Sequence, residues 1–182
     1  METKEFEIKV NQDLIEFLQR KKVLDVRVPE CPDLEDKWQD IARAYMPDGI
    51  REFQEYPVSS LGWMMFIGMA MGYYWDKDWE TNSNRNNYYE NLRDINGYDC
   101  LDETVIALLG YKGETADKIS GLVAECASRV YSILMHEKIE PGTELALGCY
   151  VACLHQLYLA GMAIELNALG YHMTPDSPPS LN

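Results

Sequence analysis

Residues Val58 to Trp79 read VSSLGWMMFIGMAMGYYWDKDW, and this stretch decides the fold. It carries no charge before Asp76, and its apolar residues would lie on every side of a helix, which is typical of a helix buried in a protein core. Gly62, Gly68 and Gly72 each disfavour a helix by about 1 kcal/mol relative to alanine. We therefore predict a buried helix whose glycines allow a second helix to approach its backbone closely.

The natural partner of this helix is the stretch from Glu144 to Leu169. It follows the turn Pro141-Gly142-Thr143, and Gly170 is placed to end it. The stretch is also apolar nearly all round, and it is rich in small residues: Ala146, Gly148, Ala152, Ala160, Gly161 and Ala163. The sequence therefore predicts two long helices packed together at the centre of the protein.

Amphipathic helices are predicted around this central pair. Apolar residues recur at helical spacing from Leu34 to Tyr45, with Pro47 and Gly49 as the expected end of that helix. Further helices are predicted over 50–56 and 88–95, between a cap at Asp99 and Gly110, and from Gly113 with an apolar stripe that reaches Leu134. Ser59 or Ser60 is expected to cap the central helix. The predicted fold is therefore all-α, a single-domain bundle of about six or seven helices over residues 1–173, with a disordered tail over 174–182.

The N-terminal segment is the part of the chain that could depart from an all-α fold. Residues 4–10 and 24–28 alternate apolar and polar side chains, which is the pattern of a short strand. Asn11 could cap a helix between them. Two alternatives follow for residues 1–32: a small α/β element, or extended arm segments without a sheet.

The charge of the protein restricts its partners. The formal net charge is −14, from 30 acidic and 16 basic residues, which repels nucleic acids and anionic lipid surfaces. The charged N-terminus has no apolar segment of the kind found in a signal peptide. The five cysteines are an odd number, and they fall mostly in apolar helical patterns, as expected for reduced thiols. We therefore predict a cytoplasmic protein that binds neither nucleic acid nor a membrane.

Two uncharged windows, 56–75 and 145–164, are long enough to cross a bilayer. The pair Gly68 and Gly72 also matches the GxxxG pattern of membrane helices. However, His155 and Gln156 lie near the middle of the second window, and acidic residues rather than lysine or arginine flank both windows. The soluble bundle is therefore preferred, with a membrane-embedded helical protein as an alternative.

The acidic end of the first central helix is the most unusual local feature. Acids near a helix C-terminus oppose the helix dipole, and a broken local rule can mark a functional site. One interpretation is a site for a cation or a cationic ligand, with aromatic rings as its walls; the other is a solvated helix end. The candidate ligand-binding residues are Tyr73, Tyr74, Trp75, Asp76, Asp78, Trp79, Glu80 and His155.

His155 needs a polar partner if the apolar helix that carries it is buried. A metal ion is one possible partner, and a hydrogen bond to another side chain is the commoner one. Cys149 and Cys153 face the same way, but no third ligand lies at motif spacing. The sequence also lacks the di-iron and zincin patterns, a nucleophile motif and a phosphate-binding loop. We predict no metal and no cofactor, and we leave open whether the protein is an enzyme.

The surplus of apolar helix surface favours one class of function. A small domain with two helices that are apolar nearly all round can leave part of that surface for a partner. The sequence therefore predicts a soluble protein that acts through protein–protein interaction, as a homodimer. The alternative is an enzyme or a small-molecule or metal-binding protein with its site inside the bundle.

Overall fold

A computed structural model describes residues 2–171, and within this range the chain forms eight α-helices and no strand. The helices are α1 (Thr3–Arg20), α2 (Pro32–Glu35), α3 (Trp38–Glu55), α4 (Pro57–Asn82), α5 (Tyr88–Asn96), α6 (Leu101–Leu109), α7 (Gly113–His136) and α8 (Glu144–Ala168). A short 3-10 turn, Tyr98–Cys100, lies between α5 and α6. The all-α prediction is confirmed; the predicted disordered tail lies outside the described residues.

Helices α4 and α8 form the centre of the bundle and share its largest contact. Gly68 lies against the backbone carbonyl of Tyr158, and Gly161 lies against the backbone carbonyl of Met65. A Cβ atom at either glycine would overlap the facing carbonyl oxygen, so only glycine permits this separation of the two helices. The predicted close pair of central helices is therefore present.

The amphipathic helices cover the central pair on several sides. Helix α1 packs on α8 and α7, while α3, α6 and α7 pack on α4. The buried stripe of α1 shows how this works, since its apolar side chains recur at spacings of three or four residues: Phe6, Val10, Leu14, Phe17 and Leu18. Burial of such a stripe against the core stabilises a helix more than its intrinsic propensity does.

The strand alternative for the N-terminal segment is wrong, since residues 2–171 contain no strand. Residues 4–10 belong to α1. Phe6 and Val10 fit a helix as well as a strand, because they are one helical turn apart and form the first part of the buried apolar stripe of α1. Ile8, the middle residue of the alternation, is 51% exposed. Asn11 lies inside α1 and donates a hydrogen bond to Gln156 Oε1 (2.8 Å) instead of capping a helix. Residues 24–28 are neither helix nor strand, and Val26 is 95% exposed.

The predicted helix end at Pro47 and Gly49 is also wrong, because α3 continues through both residues to Glu55. Helix α3 tolerates Pro47 because contacts with other parts of the chain stabilise the helix around this residue. Ser60 Oγ donates a hydrogen bond to the Gly49 carbonyl (2.7 Å), and the ring of Tyr45 fills the space where a Cβ of Gly49 would lie. Such tertiary contacts override the local helix-breaking tendency of proline.

Some of the other predicted helix ends are confirmed, and others are wrong. Helix α4 begins at Pro57, so Ser60 is buried inside the helix and is not its cap. Gly110 ends α6 in the left-handed conformation, as predicted. The Thr143 side chain accepts a hydrogen bond from the backbone of Ala146 (3.1 Å) and caps α8. Gly170, with φ of 96°, follows the end of α8.

Among the described helices, only α8 is long and apolar enough to cross a membrane by length and composition. In its most apolar window, 72% of the residues are buried inside the protein. A buried core helix passes the same test, so the length and apolarity of α8 do not identify a membrane span.

Candidate functional site

The acidic end of α4 contains a bend rather than a continuous helix. Asp78 has an extended backbone (φ −164°, ψ 82°), so the helix restarts after it. Its Oδ1 atom accepts a hydrogen bond from the backbone N–H of Thr81 (3.2 Å), and hydrogen bonding with the Thr81 side chain and, second, with its backbone lowers the pKa of the Asp78 carboxyl. Asp78 therefore caps the start of a new helical turn, where a carboxylate is favourable, so this acid does not oppose the helix dipole.

Two other residues of this junction connect α4 to the rest of the chain. Tyr171 donates a hydrogen bond from its hydroxyl to Asp76 Oδ1 (2.8 Å). The Trp75 indole donates to Asp33 Oδ2 (3.1 Å), and its ring meets that of Tyr171 edge-on, with centroids 5.1 Å apart. These contacts join α2 and the segment that follows α8 to α4.

The aromatic residues of the junction lie close to cations of the chain itself. Lys77 lies 5.4 Å from the ring centroid of Tyr73, and Arg85 lies 5.0 Å from that of Tyr74. Lys37 lies 5.9 Å from the ring of Trp79. The faces predicted to receive a cationic ligand therefore already have cationic neighbours. Glu80, the last acid of the junction, is exposed.

His155 lies in a different environment. Its Nδ1 atom lies 2.6 Å from Glu7 Oε1, at the distance of a hydrogen bond in which the ring N–H donates and the carboxyl oxygen accepts. The imidazole ring also stacks on Trp38, with centroids 4.8 Å apart. The cavity that His155 lines includes no acid of the α4 junction. The structure therefore separates His155 from the candidate residues around Asp76.

Among the described residues, no group of three or more histidine, cysteine and acidic side chains is arranged to hold a metal ion. Cys149 and Cys153 are both buried. Burial raises the pKa of their thiols, and it raises the pKa of Cys126 to about 12. A thiol with a raised pKa stays protonated at neutral pH, so none of these three is activated for nucleophilic attack or metal binding.

The cavity that contains His155 is a shallow groove over the outer face of α8, with a volume of about 470 Å³. We call it the α8 groove. It is lined by Thr3, Glu7, Trp38, Glu144, Leu147, Gly148, Val151, Ala152 and His155. Leu147 is 48% exposed although it belongs to a central helix of the bundle. The groove therefore combines an apolar floor with acidic side chains at its edge.

Most residues of the α8 groove were missed by the sequence analysis. Of the lining residues, only His155 was a predicted ligand-binding residue. Glu7 lies within residues 4–10, for which a strand was considered, and Thr3 lies just before them. The approach of these two residues to α8 could therefore not be predicted. One available signal was the group Leu147, Val151 and His155, whose spacing of four residues places all three on the same face of α8.

Comparisons with known proteins give no family for this chain: no family model, no curated protein and no solved structure matches it. Function is therefore inferred from the geometry of the described residues.

Proposed function

We propose that the protein acts by binding an apolar segment of another protein in the α8 groove. The observation that carries this proposal is the exposure of Leu147 in the first turn of α8, where Leu145 is also exposed, on a helix that is largely buried beyond that turn. A buried helix presents leucine to solvent at little benefit to its own fold, whereas an apolar groove flanked by polar residues is a common docking surface for a helix.

The charges around the groove define the chemistry of the partner. Glu7 and Glu144 line the groove, and the whole chain carries a net charge of −14. A basic amphipathic helix would place apolar side chains on Leu147 and Val151 and its lysines or arginines near these acids. A second copy of this chain is less well matched, because its own charge of −14 opposes association. We therefore propose a basic partner, and homodimerisation becomes the competing hypothesis.

A soluble, cytoplasmic location is part of the same proposal. The five cysteines are all free, which is the usual state in a reducing compartment. The burial of most of the apolar window of α8 supports a water-soluble bundle over a membrane-embedded one.

The first test uses two fluorescent synthetic helices, one of leucine and lysine and one with glutamate in place of each lysine. We expect the lysine peptide to bind with a Kd of roughly micromolar size and the glutamate peptide not to bind. Leu147→Ser should weaken binding about tenfold, because it removes an exposed apolar contact from the groove. Fluorescence anisotropy measures both effects.

The matched control is Ile95→Ser, since Ile95 is 60% exposed on α5 and does not line the groove. This variant should bind as the wild type does. Equal binding by Leu147→Ser and the wild type would mean that the peptide is attracted only by the net charge, which would contradict the proposal. Light scattering should show a monomer; a dimer that Leu147→Ser dissociates would place a second copy in the groove instead.

A further inference from the structure

A second cavity, with a volume of about 490 Å³, lies between α3, the residues that follow α4 and the start of α5. We call it the α3–α5 cavity. It shares no lining residue with the α8 groove. Its size falls within the range of cavities that bind small molecules.

The charge around this cavity is opposite to that of the protein. Lys37, Arg43 and Arg85 line it, against two acids, Asp40 and Glu90. In the whole chain, acidic residues outnumber basic ones by 30 to 16. Asp40 is close to Arg43 (3.8 Å) and offsets its charge, so the cavity keeps an excess of positive charge.

Lys37 and Arg85 are positioned without carboxylate partners. The Lys37 ammonium donates to the backbone carbonyl of Ser83 (3.0 Å), and the Arg85 guanidinium lies 5.0 Å from the ring centroid of Tyr74. No acidic side chain among the described residues forms an ion pair with Lys37 or Arg85. In a chain with so many acids, two such cations at one cavity leave positive charge available for an anion.

The start of α5 lies at the same cavity, and the first backbone N–H groups of a helix have no partner within the helix. Asn87 has a left-handed backbone (φ 66°), and its side chain does not cap the helix. The backbone N–H groups of Tyr88, Tyr89 and Glu90 have no partner among the described residues, and all three residues line the cavity. Backbone donors of this kind combine with arginine and lysine in many phosphate sites.

Glu90 acts against this arrangement, because its carboxylate lies in the first turn of α5. Its Oε2 atom is buried and has no hydrogen-bond partner. The negative charge of Glu90 therefore weakens the attraction of an anion to the cavity. Removal of a cation should weaken the binding of an anion, and removal of the Glu90 charge should strengthen it. These opposite effects can be tested with two variants.

We propose that the α3–α5 cavity binds a phosphate group, either free or carried by a small organic molecule. Lys37 and Arg85 would supply the charge, and the first turn of α5 would supply N–H donors. The proposal is independent of the α8 groove, because the two cavities share no lining residue.

The probes are inorganic phosphate and glycerol phosphate, titrated into the full chain with sodium chloride at equal ionic strength as the reference. Isothermal titration calorimetry should show saturable binding of at least one phosphate compound and none of chloride. Stronger binding of glycerol phosphate would identify a phosphate ester as the ligand class, and equal binding would identify the phosphate group alone.

Three variants test the position of the site. Arg85→Gln, at an exposed residue, should weaken phosphate binding roughly tenfold, and Glu90→Gln should strengthen it. Arg20→Gln removes the same charge from the end of α1 and should leave the affinity unchanged. The proposal is overturned if no phosphate compound binds above the chloride reference, or if Arg85→Gln and Arg20→Gln lower the affinity equally.

Discussion

Glu165 is the carboxylate that burial affects most clearly, and it was not among the candidates that the sequence indicated. It lies on α8 with only 3% of its surface exposed, and its Oε2 atom accepts a hydrogen bond from the Tyr111 hydroxyl (3.0 Å). Burial raises the pKa of Glu165; the hydrogen bond from Tyr111 opposes this shift, and the negative charge of Asp76 adds to it. Burial also raises the pKa of Tyr111 to about 12, so this hydroxyl remains a donor at neutral pH.

This pKa shift predicts a stability difference that depends on pH. Above the raised pKa, Glu165 is ionised in both the folded and the unfolded protein, and burial of the charge destabilises the folded state. Glu165→Gln keeps an acceptor for Tyr111 and removes the charge. We expect this variant to be more stable than the wild type by about 1 kcal/mol at pH 7. The advantage should shrink as the pH falls through the raised pKa, because the wild-type carboxyl then becomes neutral.

Urea unfolding at several pH values between 7 and 4 measures this difference. Glu80→Gln is the matched control, because it also removes one negative charge but from an exposed side chain. Its stability difference from the wild type should stay within about 0.5 kcal/mol across the range. A Glu165→Gln advantage that does not change with pH would contradict the assignment of the effect to a buried charge.

At the scale of elements, the contact between α4 and α8 rests on two glycines that face each other's helix. Gly68 lies against Tyr158 and Gly161 against Met65, in both cases at the backbone carbonyl. The two contacts are reciprocal: each helix supplies one glycine and the backbone carbonyl that faces the glycine of the other helix. The separation of the central helices therefore depends on both positions.

Gly161→Ala should destabilise the protein by about 1–3 kcal/mol, because the new Cβ would push α8 away from α4. Gly121→Ala is the control within a helix, since nothing lies within 4 Å of the Cβ position at Gly121 in α7. It should stabilise the protein by up to about 1 kcal/mol through helix propensity alone. Thermal or urea unfolding compares the two variants; equal stability changes would show that the helix contact does not require glycine.

The central pair could be predicted from the sequence because its signals are local. Apolar residues on every side of a helix and small residues along it are visible without knowledge of the fold. The prediction for the N-terminal segment was wrong because its pattern fits two structures. Phe6, Ile8 and Val10 have the spacing of a strand, whereas Phe6, Val10 and Leu14 have the spacing of a helix. Only the contacts of this segment with α7 and α8 select the helix. Short apolar patterns are ambiguous in this way.

The candidate site was less predictable than the fold, because its residues acquire partners from distant parts of the chain. Asp76 bonds to Tyr171, Trp75 to Asp33 and His155 to Glu7. No sequence pattern announces such pairs, which depend on how the helices pack. The acidic junction departs from the helix-dipole rule in the sequence, and the bend at Asp78 accounts for this departure at Asp78.

At the scale of the whole molecule, the excess of acidic residues causes electrostatic repulsion between negative side chains, and salt screens this repulsion. The 30 acids and 16 bases give a net charge of −14 on a chain of 182 residues, and like charges destabilise a compact state. Ion pairs of this chain reach solvent: in the pair Lys9 and Glu137 the lysine side chain is 55% exposed and the glutamate side chain 13%, and in the pair Lys21 and Glu125 the side chains are 48% and 52% exposed. Exposed pairs stabilise a protein by at most about 1 kcal/mol each, so their loss should not outweigh the relief of repulsion.

We therefore expect the Tm to rise by a few degrees as sodium chloride is increased from about 10 to about 300 mM, because the screening length falls from about 30 Å to less than about 10 Å. Calorimetry at constant protein concentration and pH 7 measures the change. Tetramethylammonium chloride should produce a similar rise, since screening depends on ionic strength and not on the identity of the cation. A Tm that falls with salt would show that attractive ion pairs outweigh the repulsion. In that case the acidic surface would stabilise this fold instead of opposing it, and the charge argument against a second copy in the α8 groove would lose its basis.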